Sequence, residues 1–283
     1  MKIAHTFAEL DAALKDMRRD GASLGFVPTM GALHSGHLSL LETTRSKAEK
    51  VTVSIFVNPT QFGPKEDYRV YPRVPEKDCE LLEREGVALV FLPTAEQMYP
   101  AGSPLVTVDP GPVGNEFEGR SRPGHFRGVL TVVAKLLHLV QPNVAVFGQK
   151  DAQQLFLIRR MVADLNFPVE IVESATVREA DGLAMSSRNA YLKAAERHKA
   201  TVLYRALSEG KRLFESGLRS LDDIHAAMRE AARSVEEFEL DYATAVGESD
   251  FVEKDPLPQE ARLIIAGKLG SVRLIDNLPL RMG

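Results

Sequence analysis

The sequence predicts an α/β protein: a Rossmann-like parallel sheet with helices on both faces, followed by a smaller α+β domain. Three observations predict it. Short β-branched apolar runs alternate with amphipathic helical patterns through roughly the first 175 residues, the order of a parallel sheet covered on both sides. Beyond residue 176 the order changes to two helical stretches and then three β-rich pieces. A chain of 283 residues with 44% hydrophobic content is long enough to bury two modest cores. The expected division is therefore 1–175 and 176–283.

Each element has a local reason. Thr6-Phe7-Ala8-Glu9 is a capping box that opens a first helix, stopping near Gly21. Leu24–Val27 is the first buried strand, and His37 to about Lys50 a helix. Val51–Val57 is short, apolar and β-branched, a second buried strand. A polar loop runs from Asn58 to Arg73. Pro75 to about Glu85 is a helix that Gly86 ends, and Val87–Leu92 is a strand. Leu105–Val108 reads as a short extra strand, and Pro110–Gly124, rich in Gly, Pro and charge, as a mobile loop. Apolar residues from Phe126 to Val140 recur at helical spacing until Gln141-Pro142, which makes this stretch core or subunit interface. Val144–Phe147 is a strand, Asp151 to about Leu165 a helix and Val169–Val172 a strand. Past the change near Glu173–Arg188, helices are expected at about Ala194–Ser216 and Leu221–Val235. Strands are expected at Phe238–Val246, Arg262–Ala266 and Val272–Ile275.

Composition narrows the function. Lys and Arg total 35 against 39 Asp and Glu, a net charge of −4, so no general basic surface for nucleic acid is implied. One cysteine, Cys79, excludes an internal disulfide framework and suits a cytoplasmic location. No apolar run reaches membrane-spanning length, and the first residues lack a signal peptide's apolar stretch.

Ligands of open α/β sheets bind beyond the carboxyl ends of the strands, and polar clusters fall at such ends. The first strand delivers Pro28-Thr29-Met30-Gly31-Ala32-Leu33-His34-Ser35-Gly36-His37. Two histidines three apart, with a glycine between, thus sit where a strand turns into a helix. A helix N-terminus has unpaired N–H groups and partial positive charge, imidazoles there can donate to phosphate oxygens, and Gly36 allows close approach. The segment points to a nucleotide triphosphate. The second strand delivers Asn58-Pro59-Thr60-Gln61. The strand ending at Phe147 delivers Gly148-Gln149-Lys150-Asp151, with Gln153 and Gln154 one turn on. Val177-Arg178 and Met185-Ser186-Ser187-Arg188-Asn189 lie at the domain junction.

These clusters also carry a family resemblance. His34-Ser35-Gly36-His37 resembles the HxGH signature of the nucleotidylyltransferase superfamily, and Met185-Ser186-Ser187-Arg188 resembles its KMSKS-type second signature. The set Pro28–Gly31, Asn58–Phe62, His125–Val129, Phe147–Asp151 and Met185–Asn189, in that order and spacing, is similar to the pantothenate synthetase (pantoate–β-alanine ligase) family over essentially the whole chain.

The resemblance implies an ATP-dependent condensation of (R)-pantoate with β-alanine through a pantoyl-adenylate, releasing AMP and pyrophosphate. It implies His37 as proton donor, with His34, Lys150 and Arg188 as the other catalytic groups. The implied ATP-binding set is Met30, Gly31, His34, Gly36, His37, Gly148, Gln149, Lys150, Asp151, Val177, Met185, Ser186, Ser187 and Arg188. Within it Asp151 and Gly148 serve the ribose, and backbone groups of Val177 and Met185 hold adenine. The resemblance assigns Gln61 and Gln154 to pantoate, and the apolar Pro28, Met30 and Val133 match its methyl groups. Pro110–Gly124 would cover the adenylate, and its Arg122 could steer phosphate; Tyr71 and Arg73 are candidates for β-alanine. Magnesium is implied by ATP use, with Asp78 as a candidate ligand. The implied partners are small molecules and a second copy of the chain in a homodimer, with neither nucleic acid nor membrane. The second domain is expected to act as a lid that closes after ATP binds.

Blander readings exist for each piece. The histidines could merely cap a helix, Lys150-Asp151 could be a helix-start ion pair, and Ser186 could be an N-cap beside a solvated arginine. Another nucleotidyltransferase of the superfamily is a competing function, but it would want a basic pocket for an acceptor phosphate. A non-catalytic RNA-binding or nucleotide-sensing module is a third, which the acidic balance argues against for RNA.

Overall fold

The computed structural model describes residues 1–64 and 66–281. Lys65, within the expected loop Asn58–Arg73, and residues 282–283, within the expected second domain, lie outside the described residues. The chain separates into two compact units. One comprises Met1–Gln149 with Gln154–Ala175, the other Lys150–Gln153 with Thr176–Gly283.

The first unit opens with β1 (Lys2–Ala4), α1 (Phe7–Arg18), β2 (Leu24–Thr29), α2 (Ser35–Arg45) and β3 (Lys50–Ile55). It continues with α3 (Pro75–Arg84), β4 (Leu89–Phe91), α4 (Ala95–Met98), α5 (Glu118–Ser121) and α6 (His125–Val140). It closes with β5 (Val144–Gly148), α7 (Ala152–Asp164) and β6 (Glu170–Ser174). The six strands pair in the order β1-β4-β3-β2-β5-β6, every pair parallel. From β2 the chain proceeds outward through β3 and β4, then returns to β5 on the other side. The carboxyl ends of β2 and β5 therefore flank a topological switch point, where ligands of such sheets bind.

Alternation along the strands divides the core into two layers. Phe26, Leu89, Phe91, Ala145 and Phe147 pack with α1, α6 and α7, whereas Val27, Val51, Val53, Val90 and Val146 pack with Leu41 of α2 and Leu82 of α3. Both faces are thus covered, as the uninterrupted apolar strands require. Helix α6 buries ten residues, and each large aliphatic side chain removed from water contributes about 1.5–3 kcal/mol. It ends at Gln141 in the left-handed region (φ 47°), and Pro142 cannot extend it. At the start of α1 the expected capping box is present: Thr6 Oγ1 accepts from the Glu9 N–H, and the Glu9 carboxylate accepts from the N–H of Thr6 and of His5.

The second unit holds α8 (Ala194–Lys199), α9 (Val202–Glu215) and α10 (Leu221–Arg233), then β7 (Phe238–Gly247), β8 (Glu260–Leu269) and β9 (Val272–Arg281). The strands form an antiparallel meander, β7-β8-β9. Val202, Leu203, Ala206, Leu207, Ile224 and Met228 of α9 and α10 bury against one face of it.

Several expectations need correction. Helix α2 begins at Ser35 rather than His37, so His34 is its N-cap and His37 sits in its first turn, and it ends at Arg45 rather than near Lys50. The helical stretch Ala194–Ser216 is two helices. Leu105–Val108 is not a strand: Leu105 and Val106 are 96% and 86% exposed, and none of the described strands pairs with them. Pro110–Gly124, expected as a mobile loop, carries regular turns. It holds a 3-10 turn at Pro112–Asn115 and then α5, and Gly119 packs so close on the Gly114 carbonyl that no side chain fits. The edge strand β1 was too short for any periodicity to reveal.

Candidate active site

In the first unit the candidate residues gather where β2 leaves the sheet. Thr29 Oγ1 donates to the Ser54 carbonyl at 2.8 Å and accepts from the Gly31 N–H at 3.2 Å. The backbone then turns through two left-handed residues, Gly31 (φ 82°) and Ala32 (φ 52°). Ala32 pays a steric penalty there that glycine does not. The compensation comes from α3. The Asp78 carboxylate, 3% exposed, accepts the Ala32 N–H at 2.8 Å and the Leu33 N–H at 2.9 Å.

This turn hands the chain to His34, the N-cap of α2, in extended conformation (φ −142°, ψ 176°). Its Nδ1 accepts the Gly36 N–H at 3.1 Å, and Nδ1 of His37 accepts the His34 N–H at 3.2 Å. The two imidazoles form a reciprocal capping box, a role usually taken by Ser or Thr with Glu. Their centroids are 4.2 Å apart. Because each Nδ1 accepts, each neutral ring carries its proton on Nε2. Capping and phosphate donation are therefore not alternatives: the cap selects the tautomer with the Nε2–H as donor, at a helix end that favours anions.

Two of the residues expected to bind an organic acid meet beside this turn. Gln61, 9% exposed, approaches Met30 Sδ with its Nε2 at 3.3 Å. Asn58 fixes the glutamine: its Nδ2 donates to Gln61 Oε1 at 3.0 Å and to the Gly128 carbonyl at 3.2 Å. Asn58 Oδ1 accepts from the Thr60 N–H and hydroxyl and from the Tyr99 hydroxyl, whose ionisation burial disfavours. His125 Nδ1 lies 2.9 Å from the Gln61 carbonyl. A side chain at Gly128 would strike the Thr60 carbonyl and come within 2.7 Å of Gln61 Cα, so the 3-10 turn Pro59–Gln61 and α6 pack backbone to backbone. On the β3–β4 side of the turn, a mainly apolar cavity of ≈ 220 Å³ is lined by Met30, Gly31, Phe56 and Tyr68. At the end of β5, Gly148 has no positive φ, and a Cβ there would have Leu40 Cδ2 as its nearest neighbour at 3.8 Å.

Four side chains expected at the site are engaged elsewhere in this unit. Asp78, the candidate magnesium ligand, directs both carboxylate oxygens at backbone N–H groups. Among the described residues no three His, Cys, Asp or Glu side chains group as a metal site, so the donor set does not fit an all-protein magnesium cage. Arg122, expected to steer phosphate, pairs with Glu66 through Nε and Nη2 (2.6 Å at the shortest) and places Nη1 3.0 Å from His125 Nε2. Its charge is thus already matched. Arg73 donates to the carbonyls of Tyr71 and Tyr68, so it ties its own loop. Val133 is a core residue of α6.

The second unit holds its own candidates. The Arg178–Ala184 bridge makes a narrow hairpin, in which the Met185 N–H donates to the Val177 carbonyl at 2.9 Å. Of the backbone groups expected to hold adenine, these two therefore satisfy each other. The Val177 N–H has no partner among the described residues. Ser186 does cap the 3-10 turn Ser187–Tyr191, its hydroxyl accepting the Arg188 N–H at 3.3 Å. Arg178 anchors the hairpin to β9 by a bidentate pair with Asp276 at 2.6 and 2.9 Å. Burial pushes the Asp276 carboxyl above its usual range, against the pull of Arg178. Lys150 and Asp151 do not pair with each other. Neither the Lys150 ammonium nor the Asp151 carboxylate has a hydrogen bond or ion pair among the described residues. Asn58 announces itself faintly in sequence as an Asx residue before a proline, and Arg178 only as part of the polar junction Val177-Arg178; nothing in sequence marks Asp276 or Asn277.

Comparison with known proteins gives a consistent result. The family model described as pantoate-beta-alanine ligase matches residues 2–279. The pantothenate synthetase of Gluconobacter oxydans is 50% identical over 280 residues, covering 99% of this chain and 100% of that protein. The crystal structure of pantothenate synthetase from Thermus thermophilus superposes with a TM-score of 0.94 at 50% identity, covering all of both chains. That of the Francisella tularensis pantoate-beta-alanine ligase, complexed with beta-gamma ATP and beta-alanine, gives 0.81 at 35% identity over 98% of this chain and 97% of that one.

Proposed function

The chain belongs to the pantoate–β-alanine ligase family, and from that premise we propose that it joins (R)-pantoate to β-alanine at the expense of ATP, through a pantoyl-adenylate. The observation that carries the reading is the imidazole capping box. It presents two Nε2–H donors at the start of α2, beside the switch point of the parallel sheet.

In the first step a pantoate carboxylate oxygen attacks the α-phosphorus and the bond to pyrophosphate breaks. His34 and His37 donate to the phosphate oxygens on which charge grows, with His37 as the proton donor, an effect typically worth about 10²–10⁴ in rate. The reading assigns Lys150, Ser186, Ser187 and Arg188 to the β- and γ-phosphates. Met30, Gly31 and Gly36 let the nucleotide approach the backbone of the turn. Asp151 accepts from the ribose hydroxyls, with Gly148 and Gln149 alongside, and the Val177 N–H with Met185 serves adenine. Gln61 and Gln154 bind the hydroxyls and carboxylate of pantoate, and Pro28 and Met30 its methyl groups. In the second step the neutral amine of β-alanine attacks the acyl carbon. AMP leaves with the bonding pair, the amine loses a proton and the amide remains. The reading makes the second unit a lid.

Magnesium accompanies ATP in this reading, on phosphate oxygens and water, and no step is assigned to a protein-bound metal. A homodimer and a cytoplasmic location complete the proposal. No helix among the described residues is long and apolar enough to cross a membrane. Sedimentation velocity tests the dimer.

The deciding experiment is pantoate-dependent exchange of labelled pyrophosphate into ATP without β-alanine. Exchange is expected, and it is expected to vanish in His37→Ala and Lys150→Ala while both variants stay folded. Exchange that ignores pantoate, or that survives both substitutions, would overturn the reading or its residue assignments respectively.

A further inference from the structure

We propose that Asn277 is the positioning residue for Lys150: its side-chain amide grips the Lys150 carbonyl and so sets the point from which the lysine ammonium reaches its anion. The inference rests on the reading that Lys150 acts on the triphosphate.

Asn277 lies on β9, is 3% exposed, and has both ends of its amide engaged. Its Nδ2 donates to the Lys150 carbonyl at 2.8 Å, and its Oδ1 accepts from Arg262 Nη1 at 2.6 Å. The direction of the amide is unambiguous, since a guanidinium only donates and a carbonyl only accepts. Arg262, also 3% exposed, is fixed in turn by Glu248, to which Nε and Nη2 donate at 3.1 and 2.6 Å. The Asn277 backbone is held as well, its N–H by Asp276 Oδ1 at 2.8 Å and its carbonyl by Arg178 at 3.1 Å. A buried, mutually oriented set of charges therefore ends in one donor, and that donor meets the main chain of Lys150.

The lysine needs such an anchor. Its ammonium has no hydrogen bond or ion pair among the described residues, and its four-carbon stem is flexible. Where the charge sits is then governed by where the backbone starts. Arg178 belongs to the same set and also carries the hairpin of Val177 and Met185. The network thus fixes a candidate phosphate-binding lysine and the adenine-facing hairpin in one frame.

The test is a double-mutant cycle read by calorimetric ATP binding. Asn277→Asp keeps the acceptor for Arg262 but turns an oxygen toward the Lys150 carbonyl. In the wild-type background it is expected to weaken ATP binding between about threefold and a hundredfold, the range seen for directly coupled residues. In the Lys150→Ala background the same change is expected to alter ATP affinity less than about twofold. An equal loss in both backgrounds, or no loss in the first, overturns the proposal. If Lys150→Ala itself leaves ATP binding and exchange intact, the assignment of Lys150 falls, and with it the reason for an anchor. Asn277→Ser, which is uncharged and shorter, is run through the same cycle in case the buried aspartate does not fold.

Discussion

The Asp78 carboxylate accepts the backbone N–H of Ala32 at 2.8 Å, and its second oxygen takes the N–H of Leu33 at 2.9 Å. One buried side chain on α3 thereby holds the left-handed turn that delivers His34 and His37. Hydrogen bonds to a charged acceptor contribute about 1.5–3 kcal/mol each. Asp78→Asn can satisfy one N–H and must face the other with its amide. The variant is expected to lose about 2–3 kcal/mol in urea unfolding and most of its pyrophosphate exchange, with an unchanged magnesium concentration for half-maximal rate. A raised magnesium requirement with full stability would show that Asp78 is a metal ligand after all.

The histidine cap separates two roles in one side chain. His34→Ala removes both the Nδ1 acceptor and the Nε2–H donor, and is expected to cost about 1 kcal/mol, the usual value of an N-cap. His34→Asn restores a cap acceptor, so its urea midpoint should return close to wild type. Exchange activity should stay down about 10²-fold or more in both variants, as the loss of a positioned donor implies. Recovery of activity in His34→Asn would reduce the imidazole to a structural cap.

What the sequence made legible follows physical range. The capping box at Thr6 and Glu9 was readable because its partners are three residues apart. So were the buried strands, whose apolar runs need no knowledge of their neighbours. The His34–His37 turn announced its position, yet the sequence could not say that both rings cap the helix, because that depends on the angle at which α2 leaves β2. The sequence shows the charge of Asp78 and not its partners, which lie 46 and 45 residues away. The same distance hides the partner of Arg122, since Glu66 pairs with it from 56 positions upstream. Asn277 lay out of reach entirely, 127 residues from the carbonyl that it holds.

A pH effect on stability is expected from the second unit. His225 of α10 bonds through Nε2 with the Thr244 hydroxyl of β7, which donates to Glu253 at 2.6 Å. Burial pushes the imidazole below its ordinary value of 6.5, assisted by Arg229 and opposed by Glu253 and Asp222. The folded state therefore binds fewer protons than the unfolded chain between the depressed value and 6.5. Stability from this group is complete above 6.5 and is lost as pH falls below it. The urea midpoint should drop over that window, and His225→Gln should flatten that part of the profile. An identical slope in the variant would exclude His225 as its source.

Gly148 offers the sharpest separation of ligand from fold. It ends β5 without a positive φ, so its backbone suits any L-residue. A Cβ built there would find only Leu40 Cδ2, at 3.8 Å, an ordinary van der Waals contact. Neither conformation nor packing against protein explains a glycine at this point, and the proposed function accounts for it by placing the ribose against the strand end. Gly148→Ala is accordingly expected to be neutral in urea unfolding, or stabilised by about 0.4–1 kcal/mol through its stiffer unfolded chain. Against the nucleotide the same methyl group overpacks the site, at a cost of about 1–3 kcal/mol. That corresponds to a loss of ATP affinity of about fivefold or more, with pantoate binding unchanged. If the variant binds ATP as wild type does, the space beside Gly148 is not where the nucleotide lies, and the assignment of Asp151 to the ribose falls with it.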